Sequence, residues 1–516
     1  MSTPPQPPAQ ETLKERVDRF VKWLFREHHA AKPRGPKVLN DSLLGNQYFS
    51  KHEVVVIDSP LLQRLKRIKQ TGLAYQVFPS ATHSRFEHSL GAATLAERCL
   101  NAIRERADFE SGKPLQINPD RIRGHLAEVR MAAMLHDVGH GLCSHASEQI
   151  YELLVDLREF RKDPEYARNS PGEILSYLII TSPRFRSWFQ EHVVEGCQAP
   201  LNLDTIATMV LGKHADPDLY FLAQIVSSPY DADKLDYIAR DSYYCGLALT
   251  VDLPRFYSMI STAKEDGFRV LVLRNYVPLE QILFSKMTLY GSVYHHQKVK
   301  CLDSMLRSAI QHMSENAREC TIQLNGAEVS FANEVEYLYV TDDQFFNQLQ
   351  PFGDEFVRRI VARFQSRDLF VRCLEISRRT LPEKRWKTYG RKHLLDVFDK
   401  PGVLDDTERS IHVALPDKVK RQCDKGEVLL SVPKRPNLKT DFAFVQTSPK
   451  APKDTIEEFF PVEQWIDSYA HNKWRSYVYA PKDCARAVRD AAFQILKEKF
   501  KIDIDLKRSN ENCHLD

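Results

Sequence analysis

The chain has 516 residues, 43% hydrophobic and 10% aromatic, enough to bury one large core or several. Its 72 basic and 69 acidic residues leave a net charge of +3, so no global field draws it to nucleic acid or to a membrane surface. Ten cysteines, none in a CxxC pair, exclude a zinc ribbon or a thioredoxin-like motif and read as reduced thiols of a cytoplasmic protein. No apolar run approaches the roughly 20 residues of a membrane span.

Residues 1–11 are rich in Pro and Gln, lack the apolar run of a secretory leader, and are expected to be disordered. Val17, Phe20, Val21, Leu24 and Phe25 then fall on one face of an amphipathic helix, which AKPRGPK (31–37) breaks. VVVIDSP (54–60) reads as a short β-rich run, and LLQRLKRIKQTGL (61–73) has helical spacing. HSLGAATLAERCLNAI (88–103) and AEVRMAAMLHDVGHG (127–141) read as helices, the second buried, with a polar surface loop over 105–122. FLAQIVSSPYDADKLDYIARDSYYCG (221–246) reads helix, break, helix, and FRVLVLR (268–274) reads as a strand. Residues 279–313 form one long helix or two stacked end to end, and 320–395 read as helical and Arg-rich. Past 400, VLLSVP, FAFVQ and SYVYAP look like strands and 485–500 like a helix. The expected fold is mainly α, a helical core with small β elements, followed by a small α+β C-terminal region. The expected domains are an N-terminal extension (1–36), a large helical domain (37–320), a helical Arg-rich extension (321–400) and the C-terminal region (401–516).

The strongest chemical signal is His136-Asp137 in MLHDVGHGLCSH. Imidazole nitrogen and carboxylate oxygen are both metal ligands, and adjacent helical residues lie about 100° apart, so both can reach one ion. A carboxylate in so apolar a helix is costly unless a cation or donor meets it. A lone His-Asp pair is commonly accidental, but His140 and His145 stand close by. A second signal is HSRFEHSLG (83–91), with His88 opening a helix and Arg85 three residues earlier, a guanidinium suited to phosphate. The third is DADKLDYIARD (231–241), whose Asp233 or Lys234, Tyr237 and Asp241 share a helical face. Either segment in isolation reads as a surface turn or an ordinary amphipathic helix.

Together the three signals resemble the HD phosphohydrolase superfamily. More narrowly, VLNDSLLGN (38–46), IDSPLLQRLKRIKQTG (57–72), FPSATHSRFEHSLG (78–91), LHDVGHGLCSH (135–145), DADKLDYIARD (231–241) and VYHH (293–296) resemble its dNTP triphosphohydrolase branch, which includes the vertebrate enzymes that join a SAM module to the HD domain. The resemblance covers roughly residues 37–315. It implies an HD domain over 37–320 and a divalent ion held by His88, His136, Asp137 and Asp233, with iron, manganese, zinc and magnesium all suited and magnesium accompanying the triphosphate. It implies attack of water at the α-phosphorus of a dNTP, releasing a deoxynucleoside and intact triphosphate. His140 and His145 match histidines beside that phosphate, and Glu148 stands where the family often has Asp. Arg85, Lys234 and Lys286 match triphosphate-binding positions, although the vertebrate enzyme has Arg in place of Lys286. Tyr237 and Asp241 match sugar-side residues, and Tyr294 and Gln70 match positions at the base and the 3′-hydroxyl. Gly172, in NSPGEIL, replaces a family His proposed as general acid.

The same resemblance implies a homo-oligomer with a dGTP, GTP or dNTP activator site at Lys37, Val38, Asp58, Gln63 and Arg64, where Gln297 replaces a family Lys. The role would be control of deoxynucleotide pools or antiviral defence. Two other readings stay open. One is an HD-type phosphodiesterase or nuclease. The other is a nucleotide- or nucleic-acid-binding protein with weak catalysis, using the basic stretch Arg358, Arg359, Arg363, Arg367, Arg372, Arg378, Arg379, Lys384, Arg385 and Lys387 with Phe364, Phe370 and Trp386 interleaved.

Overall fold

A computed structural model of the chain describes residues 11–28, 35–111, 119–151, 154–249, 251–317, 320–348, 354–383, 386, 391–434, 443–447 and 454–513. The expected disorder of residues 1–11 falls almost wholly outside these. The helix that follows, Leu13–Leu24, opens on a capping box in which the Glu15 carboxylate takes the Thr12 N–H at 2.8 Å. Its buried Val17, Phe20 and Val21 dock on the helices Pro171–Thr181 and Pro183–Phe189, and buried Arg16 bonds Glu334 at 3.0 Å.

The run expected to be β-rich at 54–60 is a helix, Lys51–Ile57. Glu53 takes the Ser50 N–H at 2.7 Å, and Val54, Val55 and Val56 are buried, so capping and burial override the β preference of three consecutive valines. The strands lie just before it: β1 (Lys37–Asp41) and β2 (Gly45–Phe49) form an antiparallel hairpin that pairs Lys37 with Phe49. The helical spacing over 61–73 holds only for Pro60–Leu65, after which the chain turns into a 3₁₀ segment, Gly72–Gln76.

The helix expected at 88–103 is longer, Arg85–Ser111, and occupies part of the expected surface loop; a short helix, Pro119–Gly124, occupies another part. The buried helix expected to run to 141 ends earlier, as Leu126–Leu135. It packs on Arg85–Ser111, as does the helix Ala232–Tyr244. This three-helix packing brings the chemistry-bearing residues to one place. The expected break before Asp231 is present, with Tyr220–Val226 as the preceding helix. The long helical run divides into Val277–Leu289 and Gln297–Glu315, joined by a wide π turn at Tyr290–Tyr294.

The stretch 320–395, read as helical, is mixed. It holds the hairpin β5 (Ile322–Leu324) and β6 (Ala327–Val329), helices at Asp342–Gln348, Glu355–Ser366 and Arg391–Phe398, and strand β7 (Val371–Ser377). A larger hydrophobic cluster takes in the N-terminal helix and the three-helix packing, and a second cluster runs from Cys373 to Ile504. Strand β11 (Arg475–Ala480) pairs antiparallel with β7 and with β8 (Leu429–Ser431), and the helix Ala485–Phe500 covers them. A four-stranded sheet joins β3 (Ile260–Glu265) and β4 (Phe268–Leu273) to β9 (Phe444–Val445) and β10 (Asp454–Thr455), with β4 and β9 parallel. The C-terminal segment is thus threaded back into the large cluster. No helix among the described residues is long and apolar enough to cross a membrane.

Arg64 shows how the core holds the loop after the buried helix. Its guanidinium donates to the carbonyls of Val138 at 2.7 Å and His140 at 2.8 Å and to Leu338 at 3.3 Å, and burial lowers its pKa to about 10. Removing the guanidinium takes that donor from three carbonyls in the buried interior. Arg64→Leu is expected to cost about 2–4 kcal/mol of unfolding free energy in chemical denaturation. A loss below about 1 kcal/mol would mean that water replaces the donor.

Candidate metal centre

Three elements supply the centre. The long helix starts at Arg85, where the Glu87 carboxylate accepts from Ser84 N–H and, at 2.9 Å, from its hydroxyl; His88 follows on the first turn, fully buried. The apolar helix ends at Leu135 and delivers His136 and Asp137 at its exit. The third helix is capped by Asp231, whose Oδ1 accepts the Lys234 N–H at 2.8 Å, and this presents Asp233 and Asp236 from its first turns.

The donor atoms converge. His88 Nε2 lies 3.3 Å from His136 Nε2, 3.1 Å from Asp233 Oδ1 and 3.5 Å from Asp137 Oδ2. His136 Nε2 lies 3.4 Å from Asp137 Oδ1 and 3.6 Å from Asp233 Oδ1. The tautomers are decided by the other ring nitrogens. His136 Nδ1 donates to the Ala133 carbonyl at 2.7 Å, and His88 Nδ1 donates to Asp236 at 2.8 Å. Both Nε2 atoms therefore turn lone pairs toward each other and toward two carboxylates. That arrangement fits a cation. Burial alone opposes charging His88, but Asp233, Asp236 and Asp137 outweigh it and raise its pKa to about 10, so even a proton is held there. Burial likewise opposes ionisation of Asp137 and Asp233, yet Arg85 with His136 and His140, and the imidazoles with Lys234, hold both well below the usual carboxylate range.

Asp236 carried no role in the sequence, and it anchors the centre. It is fully buried, and Arg240 grips it through Nε at 2.8 Å and Nη2 at 2.9 Å while reaching Asp41 with Nη1 at 2.7 Å. Gly91 makes room: a Cβ there would lie 2.0 Å from Asp236 Oδ1. The signal was available as an i, i+4 Asp-Arg pair, but that spacing is common on solvated faces.

Arg85 is 1% exposed and faces the centre; its Nη1 bonds Asp137, and its Nε donates to Ser144 at 2.8 Å. Beside it lie His140, His145 and Glu148. His145 donates from Nδ1 to Glu148 at 2.7 Å, and its Nε2 faces Arg85 Nη2 at 3.4 Å. Burial, and then His145, His140 and the Gly172 N–H, decide the state of Glu148: the donors win, and it stays ionised far below the ordinary range. His140 Nδ1 lies 3.2 Å from Asp137 Oδ1, and burial with the Arg85 charge lowers its pKa, so it is neutral near pH 7. Its ring lies directly on Gly172, where a Cβ would stand 2.4 Å from Cε1.

Three of the remaining candidates, Lys234, Tyr237 and Asp241, share the helix of Asp233, and Lys286 stands on the helix packed beside it. Lys234 Nζ bonds Asp231 at 2.7 Å and lies 3.9 Å from Asp233, and the two carboxylates outweigh burial to raise it to about 12. Lys286 is buried on Val277–Leu289, 6.0 Å over the Tyr290 ring. Tyr237 is half-buried on the same helix as Asp233. Asp241 bridges the hydroxyl of Tyr294 and, at 2.8 Å, the imidazole of His83, which stacks on Tyr244 at 4.6 Å. His83 was read in the motif without a role. Gln70 is buried with Oε1 unpartnered, and its N–H donates to the His83 carbonyl at 3.0 Å.

The loop that carries these groups is tied from outside. Cys143 and Ser144 take left-handed φ of 52° and 54°, and buried Asp342 accepts the N–H of Cys143 at 2.7 Å and of Lys69 at 2.9 Å. The activator candidates do not share one surface. Lys37 pairs with Asp58 at 2.6 Å on the exposed β1 side, and Val38 is 51% exposed. Gln63 donates to the Ile57 carbonyl at 2.8 Å, and Arg64 is turned into the core. In the basic stretch, Phe364, Phe370 and Trp386 are 2%, 0% and 3% exposed, so they cannot stack on bases. Arg359 pairs with Asp424 and Glu427, and Arg363 with Asp368. Lys384, Arg385 and Lys387 lie outside the described residues.

Comparisons agree with the geometry. The model for the HD domain matches residues 85–238, and that for an HD associated region matches 259–507. An uncharacterised protein of Methanocaldococcus jannaschii is 24% identical over 91% of this chain and 85% of its own. The deoxynucleoside triphosphate triphosphohydrolase SAMHD1 homolog of Dictyostelium discoideum is 28% identical over 54% of this chain and 49% of its own. SAMHD1 of Homo sapiens, a deoxynucleoside triphosphate triphosphohydrolase, is 27% identical over 65% of this chain and 54% of its own. The chain spans about half the length of these two named enzymes.

If Asp236 holds the His88 ring, Asp236→Asn should weaken divalent-metal affinity by about 10- to 100-fold in a chelator-competition titration. Unchanged affinity would show that His88 is oriented without it.

Proposed function

We propose that this chain, which carries an HD domain over residues 85–238, is a metal-dependent hydrolase whose substrate is a deoxynucleoside triphosphate, cleaved to the deoxynucleoside and inorganic triphosphate. The observation that carries the reading is the meeting of four donors, His88, His136, Asp137 and Asp233, beside a buried Arg85 and a His140–His145–Glu148 group. The four would hold the divalent ion. A bound ion supplies Lewis-acid polarisation of a phosphate oxygen. Iron, manganese, zinc and magnesium all fit the donor set, and ligand type alone does not choose among them.

The chain's own residues supply the rest. Arg85, Lys234 and Lys286 bring positive charge to a polyanionic triphosphate. His140, neutral and against Asp137, is placed to take a proton from an attacking water. His145 has Nδ1 committed to ionised Glu148, which fixes the ring with Nε2 beside Arg85, placed to hand a proton to the departing 5′-oxygen. Gly172 is then not a missing acid. Its lack of a side chain lets the His140 ring occupy the space. Tyr237, Asp241 and Tyr294 form a sugar-side wall in which Asp241 is already engaged by Tyr294 and His83, which disfavours an added 2′-hydroxyl. Gln70, with an unpartnered amide oxygen, offers an acceptor to the 3′-hydroxyl or base. Lys37, Val38 and Asp58 remain as exposed candidates for an activator site shared between copies, with Gln63 at its edge. The reading as a nucleic-acid-binding protein has less support, because the aromatic residues of the basic stretch are buried.

The test is incubation with each dNTP and Mn²⁺ or Mg²⁺, with and without dGTP or GTP, followed by product chromatography. Triphosphate release that His136→Ala abolishes is expected. All four dNTPs left intact, with single-stranded DNA degraded, would overturn the substrate assignment. Gly172→Ala should leave metal content unchanged and lower kcat on the order of 100-fold by displacing His140. Full activity in that variant would remove His140 from the reaction.

A further inference from the structure

Away from the HD centre, three side chains of different chemistry converge from three segments. His312 lies on the last turn of Gln297–Glu315, Cys320 lies just before β5, and Asp354 caps the helix Glu355–Ser366. Each offers a ligand atom, and these atoms all lie within 4.8 Å of one another. Asp354 Oδ1 accepts the Val357 N–H at 2.8 Å, which is all a helix cap requires. Its second oxygen is 2.9 Å from His312 Nε2, with the Cys320 thiol beside it. The cap therefore accounts for one oxygen and leaves an oxygen, an imidazole and a thiol facing one another.

The surroundings are those of a half-open pocket. Cys320 is 1% exposed, and the Phe356 ring lies against the His312 ring at 4.7 Å. The His312 and Asp354 side chains are 23% and 16% exposed, so the side away from sulfur is open to solvent. A tetrahedral ion takes nitrogen at about 2.0–2.1 Å, sulfur at about 2.3 Å and carboxylate oxygen at about 2.0–2.2 Å, which sets its donors about 3–4 Å apart. The His312–Asp354 pair is at 2.9 Å and all three atoms lie within 4.8 Å of one another, so small side-chain adjustments bring them to that spacing.

We propose that His312, Cys320 and Asp354 form a second divalent-metal site that takes a borderline-soft ion such as zinc, with water in the fourth position. On binding, the Cys320 thiol gives its proton to solvent, and the His312 proton moves from Nε2 to Nδ1. Sulfur, Nε2 and Oδ2 then turn lone pairs to the ion. The thiolate sets this site apart from the HD centre, whose donors are nitrogen and oxygen only. The ion would pin the end of Gln297–Glu315, the helix that starts just past Tyr294, to the start of Glu355–Ser366.

Cobalt(II) separates the two sites, because only a thiolate ligand produces a near-ultraviolet sulfur-to-cobalt charge-transfer band. Titration of the full, reduced chain is expected to give that band, and zinc should bleach it. C320S should abolish the band while the visible absorption of the nitrogen–oxygen site remains. H312Q and D354N, checked for folding by circular dichroism, should weaken the band-forming affinity by at least about tenfold. No sulfur band at saturating cobalt, or a band that survives C320S, would overturn the proposal.

Discussion

Two imidazole nitrogens, each with its lone pair outward, face each other across 3.3 Å with two carboxylates beside them. Nothing in a protein interior tolerates that much converging electron density without a positive charge to meet it. The surrounding architecture answers this constraint. Asp236 and the Ala133 carbonyl fix the ring orientations from behind, Arg240 and Asp41 fix Asp236, and Arg85 neutralises part of Asp137. All but Asp41, which ends strand β1, stand on helices that pack apolar side chains into the same core.

The loop after the buried helix is the complementary problem, because it carries His140 and His145 in backbone that does not satisfy itself. Arg64 takes its carbonyls, and Asp342 takes the amide of left-handed Cys143. Gly139 and Gly172 let it lie against the helix Pro171–Thr181; a Cβ on Gly139 would sit 2.3 Å from the Gly172 carbonyl. The placement of His140 and His145 depends on residues distant in sequence, Asp342 among them.

Much of the fold was legible. Amphipathic spacing located the first helix, because burial on one face leaves a periodic record, while continuous apolar runs located the helix before Asp231 and the strand at 268–273, which are buried on both faces. The valines of Lys51–Ile57 misled because β preference is weaker than a capping box and a buried face. Strand β7 was hidden in an Arg-rich run because its partner, β11, lies about a hundred residues away, and pairing is a tertiary fact. The interleaved aromatics of that run looked like stacking platforms, and they are core.

By itself, the sequence determined which residue types could do phosphorus chemistry and in what order they occur, since short motifs record ligand identity directly. It also determined the helical class, since periodicity records which face is apolar. Only the tertiary structure decided that Asp233 comes within 3.1 Å of His88, that Asp236 and Arg240 stand behind it, that Arg64 faces inward, and that His140 lies on Gly172. The reason is physical. Periodicity says which way a side chain points from its own helix, and nothing in it says which distant helix terminus it will meet.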